Sequence, residues 1–258
     1  MEMPKNNFKA RLAEGGIQYG LWVSLADSVA AEITAGAGFD WILLDAEHSP
    51  NDIRSLLQQL QAVGGYPVSP IIRPVRGDVA LIKQYLDIGA QSILVPMVET
   101  SEHAAEMVRA VRYPPAGVRG VATARGSRWG RVEDYWAQAN DQMCVIAQIE
   151  SIAGLENLEA IAAVAGIDAL FVGPSDLGAA LGYLGQADRP AVKAAVTDAL
   201  SRIRATGKAA GVLGVTPELA AEYAAAGATF VGVGTDTGLL ANGTRALADR
   251  FVRGQTLD

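Results

Sequence analysis

The chain contains a single cysteine, Cys144, so no internal disulfide can form, which suits a reducing, cytoplasmic setting. Cys144 sits in an apolar run and reads as a core residue. Lysine is scarce, and Lys5, Lys9, Lys83, Lys193 and Lys208 are the whole set. None falls at the end of an apolar run where a Schiff-base lysine would be needed, which disfavours imine chemistry. Positive charge is in deficit, 21 Lys and Arg against 28 Asp and Glu, and the net charge of −7 argues against nucleic acid or an anionic membrane as partner. No stretch approaches the ~20 apolar residues of a membrane-spanning helix. The opening MEMPKNNFKARLAEGG carries charge throughout and has no apolar centre, so it does not read as a signal peptide. No GxGxxG opens a helix after the first strand, and there is no GxxxxGK followed by Ser or Thr, so no organic nucleotide cofactor is indicated.

What is present is regular. Half of the 258 residues are hydrophobic, enough for a large core, and the length is typical of one (β/α)8 barrel. An amphipathic segment, Asn6–Glu14, stops at Gly15-Gly16, so residues 1–16 read as an N-terminal helical extension. Short apolar runs then recur at Gly20–Ser24, Trp41–Asp45, Ser69–Arg73 and Ser92–Pro96. Four more follow at Val145–Glu150, Ala169–Gly173, Ala210–Leu213 and Phe230–Gly234. Helix-like stretches lie between them: Val29–Ala35, Asp52–Val63, Val79–Asp87, Ser101–Val111, Leu155–Val164, Ala191–Thr206 and Pro217–Ala226. A last one, Leu239–Phe251, closes the chain. The phrases AGAGFD, DIGAQ, AVAGIDA and AAAGATF each end a helix with a glycine that can turn the chain sharply into the next strand. Eight strands alternating with helices predict a parallel sheet closed into a single TIM barrel, one domain over residues 1–258.

In such barrels the strand C-termini carry the chemistry. That rule collects Trp22 and Ser24 from the first strand, and Asp45, Glu47 and His48 from the second. It adds Arg73 from the third, Gln148 and Glu150 from the fifth, and Gly173, Ser175 and Asp176 from the sixth. Glu150 and Asp176 end neighbouring parallel strands roughly 5 Å apart, close enough to share one divalent cation, Mg²⁺ or Mn²⁺. The plainer alternative is that both acids cap the helices that follow. Histidine as a residue type suits proton transfer at neutral pH, which makes His48 the candidate base, whereas His103 reads as a solvated residue of a surface helix. Arg73 offers a planar fork of donors for a carboxylate or an enolate oxygen; otherwise it is a buried structural ion pair. GPSDL reads as a turn opening a helix, with backbone N–H groups at Ser175 and Asp176 free to meet a carboxylate. One segment breaks the rhythm. Tyr113–Asn140, rich in glycine and arginine, reads as an unusually long βα connection after the fourth strand, whose arginines face an acidic substrate, a neighbouring subunit or solvent.

FDWILLDAEHSP, PIIRPV, IKQYLDIGAQSILVPMV, RYPPAGVRGV, NDQMCVIAQIE and LFVGPSDL together resemble the class II, metal-dependent pyruvate aldolases, which include 4-hydroxy-2-oxoheptanedioate and 2-dehydro-3-deoxyglucarate aldolases. The likeness runs from about Phe8 to Phe251. It implies a lyase that joins or cleaves pyruvate and an aldehyde through an enolate on a divalent metal (Mg²⁺, Mn²⁺ or Co²⁺) held at Glu150 and Asp176. It implies His48 as base, Arg73 as the enolate-stabilising arginine, and Asp45 and Glu47 as supporting acids. Substrate contacts fall on Gln148, Gly173, Ser175 and Asp176, and Trp22 and Phe171 line the aldehyde side. The family also pairs its histidine with an aspartate matching Asp87. The strand-and-helix trace puts that residue on the opposite face, so it acts either after a shift of those boundaries or from another subunit. A hexamer of dimers that exchange their last helix is implied too. The alternatives are a lyase acting on an acyl-CoA ester on the same scaffold, and a non-catalytic barrel that binds an oxoacid.

Overall fold

A computed structural model describes residues 1–252. Helix α1 (Asn7–Glu14) precedes β1 (Gln18–Val23), α2 (Ser28–Ala35), β2 (Trp41–Asp45), α3 (Ile53–Ala62) and β3 (Ser69–Arg73). Next come α4 (Val79–Asp87), β4 (Ser92–Val95), α5 (Ser101–Ala110), the short α6 (Tyr135–Gln138) and β5 (Cys144–Ile149). Helices α7 (Ile152–Glu156) and α8 (Leu158–Ala162) lead to β6 (Ala169–Val172), α9 (Pro174–Ala180) and α10 (Pro190–Ala205). The chain continues through β7 (Ala209–Leu213), α11 (Pro217–Ala225), β8 (Phe230–Thr235) and α12 (Asp236–Phe251). The strands follow one another around a closed barrel in chain order, every pair parallel, with β8 returning to β1. This is the (β/α)8 barrel that the strand count predicts. The four glycine turns behave alike: Gly38, Gly89, Gly166 and Gly227 have φ between +97° and +107°, a region side chains with a β-carbon avoid. Among the described residues, no helix is long and apolar enough to cross a membrane.

Two apolar layers hold the barrel. The larger lies between the strands and the surrounding helices. The smaller fills the barrel itself around five aromatic rings. Phe8, fully buried on α1, enters from below and packs edge-on against Trp41 and Phe230, ring centres 6.3 Å and 5.5 Å away. Trp41 meets Trp22 at 6.4 Å, and Phe230 meets Phe171 at 5.8 Å. Trp22 and Phe171 complete the column at 5.5 Å. Rings this large fit only because β1 and β7 present Gly20 and Gly211 to them; a β-carbon at either would collide with Trp41 or Phe230. The N-terminal helix is therefore the barrel's plug. Cys144 is buried at the start of β5, as a core residue should be.

Several boundaries differ from the sequence reading. The stretch expected as one helix at 155–164 is two short helices, broken at Asn157, whose side chain donates to the Glu99 carbonyl at 2.8 Å. Residues 113–140 follow α5, not a strand, so they join a helix to β5 at the N-terminal face of the barrel, away from the strand C-termini. Two of their arginines are internal fasteners. Arg119 is buried over the Tyr113 ring at 4.3 Å, and Arg125 donates to the carbonyls of Ile88 and Leu60 at 2.6 and 3.2 Å. Helix α12 buries only Asp236 and exposes Leu239, Leu240, Leu247 and Phe251.

Truncating the plug tests the role of the inner column. Phe8→Ala should lower unfolding stability by about 3–5 kcal/mol, because the rings above cannot collapse into the space left. Urea unfolding should show a lower midpoint with an unchanged slope.

Candidate active site

The rim is built on one pair of strand ends. Asp45 and Arg73 are the last residues of β2 and β3 and stand opposite each other in register. Arg73 Nε and Nη2 donate to the two Asp45 oxygens at 2.9 and 2.8 Å, both side chains being buried. Arg73 Nη1 also lies 2.9 Å from Glu47 Oε2. The guanidinium sits 5.1 Å from the centre of the Trp22 ring, which gives it an aromatic floor. Asp45 further accepts the Glu47 N–H at 3.0 Å. Burial works against its charge, yet the hydrogen bonds and charge of Arg73 outweigh this and hold its carboxyl below the usual value. Glu47 moves the other way. Burial raises its pKa, with help from Asp45 and Asp176, against the opposing pull of Arg73 and His48.

A second group assembles where β5 and β6 end. Glu150, just past β5, is 3% exposed. Its Oε1 accepts the Met97 N–H at 2.8 Å, and Gln148 Nε2 donates to its Oε2. Met97 reaches this position with φ of +51°, uncommon for a residue with a side chain. A β-carbon at Gly173 would lie 2.5 Å from Glu150 Oε2, so only glycine leaves that oxygen free. Burial pushes the Glu150 pKa up to about 7; the Met97 and Gln148 hydrogen bonds oppose this, while the charges of Glu47 and Asp176 add to it. Asp176 lies in the first turn of α9, exposed. Neither acid caps a helix. Ser151 caps α7, and α9 has no side-chain cap.

Between the two groups lies a cavity of about 140 Å³ lined by Trp22, His48, Arg73, Gln148, Phe171, Gly173, Pro174, Ser175, Asp176 and Leu213. Seven of these are strand-end residues the sequence singles out, Phe171 is one the resemblance adds, and Glu150 accepts a hydrogen bond from Gln148. Pro174 and Leu213 are additional. Leu213 is the last residue of β7, so the same strand-end rule applied to that strand would have found it. The His48 side chain is 64% exposed, and its Nε2 is 3.8 Å from Glu47 Oε2. No lysine lines the cavity. Lys9 and Lys208 donate to the carbonyls of Met143 and Ile167, and Lys193 pairs with Glu222.

Two candidates lie elsewhere. His103 is half-buried on α5 rather than freely solvated, with its ring beside Gly77. Asp87 ends α4, so it occupies the barrel face opposite the cavity, 3.9 Å from Arg119. Burial raises its pKa, and Arg119 and Lys83 pull it down. Within one chain it does not accompany His48. No group of three or more His, Cys, Asp and Glu side chains forms a metal cage among the described residues. The acids that could hold a cation are Glu150 and Asp176.

Residues 18–243 match the family described as HpcH/HpaI aldolase/citrate lyase. The chain belongs to that family. It is an enzyme, a carbon–carbon lyase. The chain is 57% identical to a hydroxypyruvate/pyruvate aldolase of Pseudomonas aeruginosa, covering 98% of this chain and 96% of that one. It is 52% identical to a 4-hydroxy-2-oxo-heptane-1,7-dioate aldolase of Escherichia coli, covering 96% and 95%. Among solved structures, a family protein from Burkholderia cenocepacia J2315 superimposes with a TM-score of 0.92 at 39% identity, covering 96% of this chain and all of that one (100%).

The raised Glu150 carboxyl has a measurable consequence in protein stripped of metal with EDTA. Its pKa is about 7 folded and the ordinary 4.5 unfolded, so between these values the folded state holds the extra proton. Stability is therefore favoured below the lower value and is lost as pH rises through the upper one. Urea midpoints at about pH 5 and about pH 8 should show this decline, and Glu150→Gln should remove it.

Proposed function

We propose that this enzyme is a pyruvate-type aldolase, reversibly cleaving 4-hydroxy-2-oxoacids to pyruvate, or a close 2-oxoacid, and an aldehyde. The observation that carries the reading is the cavity itself. A buried guanidinium fixed by two acids forms one wall, Asp176 and Gln148 form another with Glu150 hydrogen-bonded to Gln148, and a largely exposed histidine stands at the mouth. The names of the relatives agree with it.

The residues present suit a divalent cation. Glu150 titrates high because it is buried, and the charges of Glu47 and Asp176 add to the effect. Two hard oxygen donors with room beside them match Mg²⁺, Mn²⁺ or Co²⁺, which keep water and substrate oxygens as remaining ligands. Bound by Glu150 and Asp176, such an ion supplies the positive charge that makes a 2-oxoacid's methyl protons acidic. The protein's own groups do the rest. Gln148, Gly173 and Ser175 shape the acid's seat. Arg73, held rigid by Asp45 and Glu47, donates to the keto oxygen as negative charge develops there. His48 removes a methyl proton, and the resulting enolate carbon attacks the aldehyde carbonyl, whose oxygen is then protonated. Trp22, Phe171 and Leu213 present an apolar wall to the aldehyde and limit water. Cleavage runs the same steps backwards.

Asp87 enters this scheme from a neighbouring copy. Its buried Oδ1 lacks a hydrogen-bond partner, and it sits on the opposite face of its own barrel. The exposed apolar side chains of α12 support association into an oligomer, with the hexamer of helix-exchanging dimers as its expected form.

Deuterium exchange into the methyl group of pyruvate, followed by NMR, tests the reading without a choice of aldehyde. Exchange should need added Mg²⁺ or Mn²⁺, stop with EDTA, and disappear in His48→Ala. No exchange with any metal, together with cleavage of a CoA ester, would sink it. Arg73→Ala should slow aldol cleavage by about 10²–10³, and near wild-type turnover would remove Arg73 from its assigned role.

A further inference from the structure

Within one chain the His48 ring is only loosely held: its charged neighbour Glu47 is 3.8 Å away and the side chain is largely exposed. Whatever a neighbouring copy adds at the ring, the place from which the side chain starts is set by the backbone of the loop between β2 and α3. That loop is tied at its far end. Asn51 Nδ2 reaches back six residues to the Asp45 carbonyl at 2.6 Å and also donates to Ser49 Oγ at 3.1 Å. The Ser49 hydroxyl donates to the same carbonyl. Asn51 Oδ1 accepts from Ser55 Oγ at 2.7 Å and from Gln59 Nε2 at 2.6 Å. Both ends of the Asn51 amide are therefore committed, and the loop is closed like a clasp around Glu47 and His48.

Ordinary helix capping does not account for this. Asp52 and Ser55 already form the capping box of α3. Gln59 is fully buried, and its Oε1 has no partner, an arrangement that costs stability. An apolar side chain of similar length would serve packing better there. We infer that Asn51 and Gln59 are positioning residues, which close the 45–51 loop and thereby aim His48 at the substrate's reacting carbon. The inference rests on His48 being the base of the proposed reaction.

Two reactions through one enolate separate positioning from general damage. Methyl exchange in pyruvate requires the base. Oxaloacetate loses CO₂ by breaking its C3–C4 bond, which leaves the electron pair as the same enolate with no C–H proton to remove; water then protonates it. Both are run with Mg²⁺ on Asn51→Asp, which keeps the acceptor but removes the donors, and on Gln59→Met. Exchange should fall about 10- to 100-fold, as for a catalytic group displaced by about an ångström, while oxaloacetate decarboxylation stays within about twofold. Gln59→Met should be as stable as the parent in urea or more so. Equal losses in both reactions, or unchanged exchange in both variants, would overturn the assignment. His48→Ala is the control: if it retains exchange, the base assignment fails, and the positioning role falls with it.

Discussion

The buried pairing of Asp45 with Arg73 is the constraint on which the rim depends. It joins the ends of two adjacent strands through side chains as well as backbone, since Ala46 N–H also donates to the Arg73 carbonyl at 2.9 Å. A buried ion pair is weak evidence for stability, because desolvation consumes much of the attraction. Its value lies in geometry. A guanidinium held by Nε and Nη2 has no rotational freedom left, so its remaining N–H bonds meet the cavity in one orientation. The same aspartate anchors the following loop twice, through its carboxylate to Glu47 and through its carbonyl to Ser49 and Asn51.

Charge divides the site into two unlike halves. On one side a single guanidinium is matched by Asp45 and Glu47. On the other, Glu150 accepts from Met97 and Gln148, and among the described residues no ion pair reaches Glu150 or Asp176. Burial raises both carboxyls, but Arg73 reverses it at Asp45, which is held below its usual value, while Glu150 is pushed up to about 7. A barrel rim can thus hold buried acids of very different proton affinity, because Arg73 offsets burial at Asp45 and no arginine does so at Glu150.

Much of this was legible in the residues. Several strand ends announced themselves because the buried run stops at a polar residue, as at Asp45, Arg73 and Glu150, and the rule for barrel strands gathered these with Gln148, Gly173 and Asp176. The glycine after each helix marked the opposite turns. The long 113–140 segment was placed at the wrong end because composition does not say whether a loop leaves a strand or a helix. The helix break at Asn157 was hidden because its cause is a contact with Glu99, which is distant in sequence. The clasp around His48 was illegible for the same reason, since Asn51 and Gln59 look like ordinary helix-start and helix-face residues until the Asp45 carbonyl is placed beside them. Asp87 remained where periodicity put it, on the far face.

The aromatic column has an optical consequence. Trp22 belongs at once to the wall of the cavity and to a chain of rings that ends at Phe8, with Trp41 only 6.4 Å below. Two indoles that close exchange excitation energy efficiently, and the upper one lies under a guanidinium. The other two, Trp129 and Trp136, are 58% and 47% exposed on the opposite face. The protein therefore carries a native fluorescence reporter in which the buried pair senses the filling of the cavity, while the two exposed indoles lie too far from it to do so.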